Sequence, residues 1–299
     1  MRFAVEKDLH HRFTKSVTQR RPKNSLSRSQ KFGKRLFLGL ALALLVLSCT
    51  SGENREFNAG RSAYEKGQLT EAVDHFEKVL IRAPQSETAL RASREAAKIT
   101  FYDLKDYPKA IHFYQQIVVG SADPEERMTA QKQIVSICFD HQTDYQKAVV
   151  EINKLVVMLT DPKEIAEYKM KLARAYYYQN NFTQAKNETE EFLRSKPPRE
   201  QLFDMTFLKG NIALAEKDMA SAIQIFNQLL NDFPERAAKE NVALTLSVCY
   251  EESKDFRSAI TILEKLKTTH PMPEYIDIRI QRLMERLKNQ PGARGKIRK

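Results

Sequence analysis

The 299-residue sequence predicts an all-α fold, a solenoid of about six helical hairpins stacked end to end. Composition points there first: only 9 Gly and 11 Pro interrupt a chain rich in Ala, Leu, Lys, Glu and Gln, the residues that favour helix. A self-similar segment then occurs six times, at intervals of 38 or 37 residues. Within the copies, apolar positions are spaced by three and four, the period of one helical face.

The recurring segment opens at residues 67–84, GQLTEAVDHFEKVLIRAP, and returns at 105–118, 143–156, 180–193, 217–230 and 254–267. Its pivot is an alanine: Ala72, Ala110, Ala148, Ala185, Ala222 and Ala259. Three residues before each pivot stands Leu69, Tyr107, Tyr145, Phe182, Met219 or Phe256. Four residues after it stands Phe76, Tyr114, Ile152, Thr189, Phe226 or Leu263, and three further on Val79, Ile117, Leu155, Phe192, Leu229 or Leu266. A small pivot is required because the two helices of a hairpin cross there and a larger side chain would force them apart. Upstream of each pivot a second amphipathic segment runs into a polar turn, as in SAYEKGQ and RAYYYQNN, so each unit reads helix–turn–helix.

Pro84, Pro197, Pro234 and Pro271 close units one, four, five and six, since proline cannot continue a helix. Units two and three lack a proline at that place, and irregular ends are expected there. Residues 274–290 put Tyr275, Ile278, Leu283 and Leu287 near one face and read as a closing helix over the last apolar surface. Pro291-Gly292 ends it, and residues 291–299 are expected to be a basic disordered tail.

Gly60, Tyr64, Gly67, Ala72, Phe76 and Pro84 in the first unit, with Leu172, Ala173, Tyr176, Phe182, Ala185 and Pro197 in the fourth, resemble the tetratricopeptide repeat. The resemblance covers roughly residues 53–271, and the solenoid with its closing helix is placed at 57–290. That family has a period of about 34 residues. The longer spacing here implies extra residues in the second helix or in the loop between repeats, and Thr189 departs from the apolar pattern. The resemblance also implies that the first helix of each pair lines a concave groove. Mapped onto this chain, the groove carries Phe57, Arg61, Tyr64, Glu95, Tyr102, Gln133 and Asp140, then Met170, Arg174, Tyr177, Tyr178, Phe207 and Asn211. Tyr and Arg are enriched at binding hot spots. Phe57 and Arg61 stand where chaperone-binding members carry the Lys and Asn of a carboxylate clamp, so that clamp is not matched.

The formal charge of +11 is unevenly spread. Residues 1–48 hold eleven Lys and Arg against two acidic residues, the last nine residues hold four more, and 49–290 are close to neutral. The main body therefore lacks the basic field of a nucleic-acid binder. The basic leader precedes an uncharged run, Leu36 to Leu47, whose twelve residues would rise only about 18 Å as a helix against a bilayer core of about 30 Å. This is the order of a secretory signal, assigned to residues 1–48. The leader before Arg35 is long; a start at Val17 or Leu26 gives an ordinary one, so the first 25 or so residues read as a start-site error. Val46-Leu47-Ser48-Cys49 resembles the lipobox of bacterial lipoproteins. That resemblance implies cleavage before Cys49, a diacylglyceryl thioether on its sulfur and an acyl chain such as palmitate on its amino group. Residues 49–56 are then lipidated cysteine and linker. Thr50 in place of Asp favours the outer membrane, with the chain on its periplasmic face. Cys138 and Cys249 share a repeat position three repeats apart, too far for a disulfide, and are expected as buried free thiols.

The phosphate-loop, nucleophile-elbow and zinc-protease motifs do not occur, nor does C-x-x-C. His75, His112, His141 and His270 fall at four different repeat positions, with no pair set for a shared metal. The expected function is that of a non-enzymatic, membrane-anchored scaffold of the bacterial cell envelope. It binds outer-membrane or periplasmic proteins and takes no cofactor, metal, nucleic acid or small-molecule substrate. A lipidated cysteine followed by stretched repeats is similar to the lipoprotein of the outer-membrane β-barrel assembly machine. Pilotin lipoproteins, with six repeats, are the competing resemblance, and a non-lipidated adaptor held by an uncleaved anchor is the third reading.

Overall fold

The computed structural model describes residues 52–290; the expected leader, Cys49 and the basic tail lie outside the described residues. These residues are helical throughout, and none of them is in a strand. The first helices of the six hairpins are α1 (52–65), α3 (Glu87–Lys98), α5 (Pro124–Ser136), α7 (Pro162–Tyr178), α9 (Arg199–Ala215) and α12 (Val242–Glu252). Their partners are α2 (Leu69–Arg82), α4 (Tyr107–Gly120), α6 (Tyr145–Met158), α8 (Phe182–Arg194), α10 (Met219–Asp232) and α13 (Phe256–Lys267). A short α11 (Pro234–Lys239) precedes α12, and α14 (Pro273–Lys288) closes the stack. From α2 on, each long helix packs on the next long helix in the chain, the nearest-neighbour arrangement of a solenoid.

All six pivot alanines are fully buried. Gly60 and Gly210 hold equivalent places in the first helices of hairpins one and five, three residues before the carbonyl that accepts from the N–H of the cap residue. The two glycines face the two phenylalanines of the series: a Cβ on Gly60 would lie 2.8 Å from the Phe76 ring, and one on Gly210 2.6 Å from the Phe226 ring. Thr189 is fully buried without an orphaned hydroxyl, because its Oγ1 donates to the Ala185 carbonyl at 2.6 Å.

Every hairpin turns in the same way. Gly67, Lys105, Thr143, Asn180, Lys217 and Lys254 all take positive φ, between 51° and 76°, one residue before the cap of the second helix. This left-handed residue ends the first helix and turns the chain back. The next residue caps the second helix: side-chain oxygens of Asp106, Asp144, Asn181, Asp218 and Asp255 accept from the backbone N–H three residues on, at 3.0–3.3 Å.

The difference between 38- and 37-residue spacing has one physical origin. The two 38-residue intervals contain the π turns Ile99–Asp103 and Ile137–His141, which close with the N–H of Leu104 and Gln142 on the carbonyls of Ile99 and Ile137 at 2.9 Å. A π turn is one residue inserted in a helix. The residue that separates the 38-residue spacing from the 37-residue one thus sits in the first helix. It also offsets the cysteines. The Cys138 carbonyl accepts from Asp144, the part played in the sixth hairpin by Tyr250 with Asp255, so Cys138 and Cys249 stand one place apart in their repeats. Both are free and buried, and burial pushes each thiol up to about 11.

Three further sequence expectations change. Units two and three end regularly: Asp123 and Asp161 cap α5 and α7, with Pro124 and Pro162 as first helical residues. Pro234 follows the end of α10 at Asp232 as expected and in addition starts α11, which is separated from α12 by Asn241 at φ 53°. The buried face of α14 is Ile276, Ile280 and Leu283, while Tyr275 and Ile278 are exposed. At 100° per residue, Ile278 lies far round the helix from Ile276. Residues 52–56, expected in the linker, already belong to α1, with Glu53 buried. The apolar core is one continuous cluster from Phe57 to Leu172, followed by three smaller clusters around Met205, Phe226 and Leu263.

Candidate functional site

Salt links run between successive first helices. Arg94 on α3 grips Glu126 on α5 with two parallel bonds, 2.6 and 2.8 Å, and the Ser121 hydroxyl donates to the same carboxylate. The guanidinium holds the Glu126 carboxyl down at about 2. Lys132 meets Glu164 at 2.5 Å, Lys171 meets Asp140 at 3.0 Å, and Arg279 and Arg286 of α14 both reach Glu251. Such pairs fix the relative rotation of neighbouring hairpins and line the face they share with charge.

Nine of the thirteen sequence-predicted groove residues line two clefts; Tyr102, Gln133, Asp140 and Met170 line neither. The first, of about 520 Å³, is lined by Phe57, Arg61, Tyr64, Arg91, Arg94 and Glu95, with the Phe76 ring and Ile99 beneath. Phe57 is only 4% exposed; it packs 5.6 Å from Phe76 under the Arg91 guanidinium, 4.3 Å from its ring. It is floor rather than contact surface. Arg61 and Tyr64 are exposed.

The second cleft, of about 370 Å³, gathers Arg174, Tyr177 and Tyr178 from α7, Asp204, Phe207, Leu208 and Asn211 from α9, and Arg236 and Glu240 from and just after α11. Asp204 is its centre. Arg236 Nη2 donates to Oδ1 at 2.7 Å, and Arg174 Nη2 lies 3.6 Å from Oδ2. The Arg236 guanidinium also lies 4.8 Å from the Phe203 ring centre. One carboxylate thus holds two guanidiniums from different hairpins, leaving donors on both. Tyr178 is half exposed and rests on Tyr145, ring centres 4.7 Å apart, while Tyr177 is half buried against Phe182 and its hydroxyl is pushed upward by burial. Exposed phenol edges and splayed guanidiniums suit hydrogen bonding, stacking and pairing with carboxylates.

Tyr102 is exposed on the first π turn against Phe101 and lines neither cleft. Met170 is buried in the core, and Asp140 is engaged by Lys171. Arg236 and Glu240 were missed from sequence because Pro234 was read only as the close of unit five. The signal was present in Pro234-Glu-Arg-Ala-Ala-Lys, a first-turn proline followed by helix formers. His75 donates from Nδ1 to the Glu56 carboxylate at 2.8 Å, and His141 stacks on Tyr107. Among the described residues no three His, Cys, Asp or Glu are grouped to hold a metal, and no helix is long and apolar enough to cross a membrane. Cys49 lies outside the described residues.

Two family models described as tetratricopeptide repeat match the chain, one at residues 57–126 and 170–240, the other at 213–287. No curated protein matches it. Among solved structures, the C-terminal part of a TPR repeat-containing protein from Cytophaga hutchinsonii is 17% identical with a TM-score of 0.50, covering 83% of this chain and 98% of that one. A tetratricopeptide repeat protein from Parabacteroides merdae is 14% identical (TM-score 0.46, 80% and 93% covered). PilW, a widely conserved type IV pilus biogenesis factor, is 14% identical (TM-score 0.47, 76% and 98% covered).

Proposed function

Since the chain belongs to the tetratricopeptide-repeat family, we propose that it is a lipid-tethered scaffold of the bacterial cell envelope, carrying a protein partner in the cleft formed by α7, α9 and α11. The supporting observation is the convergence of Arg174, Tyr177, Tyr178, Phe207, Asn211 and Arg236 from two successive first helices, α7 and α9, and the short α11 around one carboxylate. Solenoids of this kind use extended concave surfaces for binding. Tyr and Arg are enriched at binding hot spots, and Tyr supplies rigid contact area at low entropic cost. Cys49, at the lipobox-like junction, is the attachment point, and acyl chains on it hold the cleft near the outer membrane, on its periplasmic face. The process served is assembly of an outer-membrane complex of the β-barrel insertion type.

A pilotin-like role in secretin assembly is the second reading, favoured by the number of hairpins, six, which matches that resemblance better than five does. Two experiments bear on the proposal. Metabolic labelling with a fatty acid, wild type against Cys49→Ala, tests the tether; an unlabelled wild type overturns it. Affinity capture with wild type and with the Tyr178→Ala/Arg236→Ala pair tests the cleft. A barrel-assembly protein or a secretin recovered by the wild type and at least tenfold depleted with the variant supports it, and equal recovery refutes it.

A further inference from the structure

The second helices of the first three hairpins each end in an exposed β-branched apolar residue. Ile81 is 79% exposed, Val119 86% and Val157 87%. They are not scattered: each stands nine residues after its pivot alanine, so they recur at one repeat position along one rim of the stack. In hairpins four to six the same position is Arg194, Asn231 and Thr268. A cleft of about 420 Å³ opens at this rim, lined by Pro84, Leu90 and Gly120, with Val119 among the residues around it.

The described chain begins at the same rim. Glu56 on α1 accepts from Arg82, at the end of α2, at 2.9 Å. Asn54 accepts from the Thr88 hydroxyl, in the first turn of α3, at 3.2 Å. The start of α1 is thereby fastened beside Ile81 and Pro84. Cys49 lies four residues before Glu53, a covalent reach of at most about 14 Å.

We propose that this rim is a membrane-contact edge, and that Ile81, Val119 and Val157 enter the headgroup–acyl boundary of the bilayer. The inference rests on Cys49 being the lipid anchor. A tether that short brings the rim to the lipid surface, while the Lys66, Lys105 and Lys217 turns lie at the opposite ends of the helices, away from it. The apolar position is kept in the hairpins nearest the anchor and becomes polar in those farther along, as a solenoid rising from the surface requires.

The test uses the full lipidated chain in vesicles of phosphatidylethanolamine and phosphatidylglycerol. A polarity-sensitive fluorophore is placed singly on Ile81→Cys, Val119→Cys or Val157→Cys, with Lys105→Cys as the control. Cys138 and Cys249 are buried and stay unlabelled. All four positions are surface ones, and circular dichroism checks that each variant keeps its helix content. At least twofold quenching by spin-labelled lipid at 81, 119 and 157, with none at 105, is expected. Flotation with the vesicles accompanied by labels as unquenched as the control overturns the edge while leaving the tether standing. Failure to float removes both. Protection of the labels without lipid quenching, in cross-linked dimers, assigns the rim to a second copy and overturns the proposal.

Discussion

Replacing Gly210 by alanine sets two known energies against each other. An alanine is better than glycine in a helix interior by about 1 kcal/mol. Here its Cβ would stand 2.6 Å from Phe226 Cε1 and 2.8 Å from Cζ, about 1 Å inside normal carbon contact. The ring has no space to retreat: Phe226 is fully buried and packs at an edge angle on Phe207, ring centres 5.9 Å apart. Overpacking of this kind costs about 1–3 kcal/mol, and the close approach favours the upper part of that range. The expected net result is a destabilisation of about 1–2 kcal/mol. Gly120 supplies the control, because a Cβ there meets only Leu90 Cδ1 at 3.8 Å, an ordinary contact. Gly120→Ala should be neutral or stabilising by a few tenths of a kcal/mol, since it sits in the last turn of α4. Urea unfolding followed by far-ultraviolet circular dichroism reads both, as midpoint shifts, because a repeat array need not unfold in one step. Adding Phe226→Leu to Gly210→Ala should cost less than the two single changes together. A Gly210→Ala chain as stable as the wild type, with Gly120→Ala behaving as stated, would refute the steric account of the Gly–Phe crossing.

Two other outcomes follow from the turns and the salt links. Thr143 holds φ 51° with a β-branched side chain, so Thr143→Gly should stabilise the third hairpin by about 1 kcal/mol, seen as a raised thermal midpoint; a lowered one would contradict the strain reading. Glu126 titrates at about 2 in the folded chain, below the ordinary 4.5, because Arg94 pairs with its charged form. Its contribution is therefore complete above pH 4.5 and lost as pH falls toward 2. The two side chains are 34% and 26% exposed, so solvent screening leaves about 1 kcal/mol. Stability measured between those pH values should fall less steeply in Glu126→Gln, and an unchanged slope would count against the pair.

Much of this architecture was legible because its cause is local. A buried alanine with bulky residues at four and seven places beyond it marks a helix crossing wherever it recurs, and all six such crossings are found. Features that add no new pattern were illegible. One residue inserted at Ile99–Asp103 leaves the apolar spacing on either side intact, so nothing in the sequence says whether helix or loop absorbed it. Pro234 is both a helix stop and a helix start, following α10 and opening α11, and reading only the stop hid Arg236 from the cleft. The closing helix was found, but its face was rotated, because Tyr275 and Ile278 are apolar enough to compete with Ile276 and Ile280. Groove mapping by resemblance brought together five side chains that do share one cleft. It also included Phe57 and Met170, whose hydrophobicity sends them to the core.

The π turns bear on how relatives of this chain should be lined up. An alignment gap opened between hairpins would pair Cys138 with Cys249 and shift the helical residues from Glu87 to Asp103 and from Pro124 to His141 by one column. Opened inside the helix, at the widened turn, the gap leaves Val135 opposite Gly210, Ala148 opposite Ala222, and the caps Asp144 and Asp218 in one column.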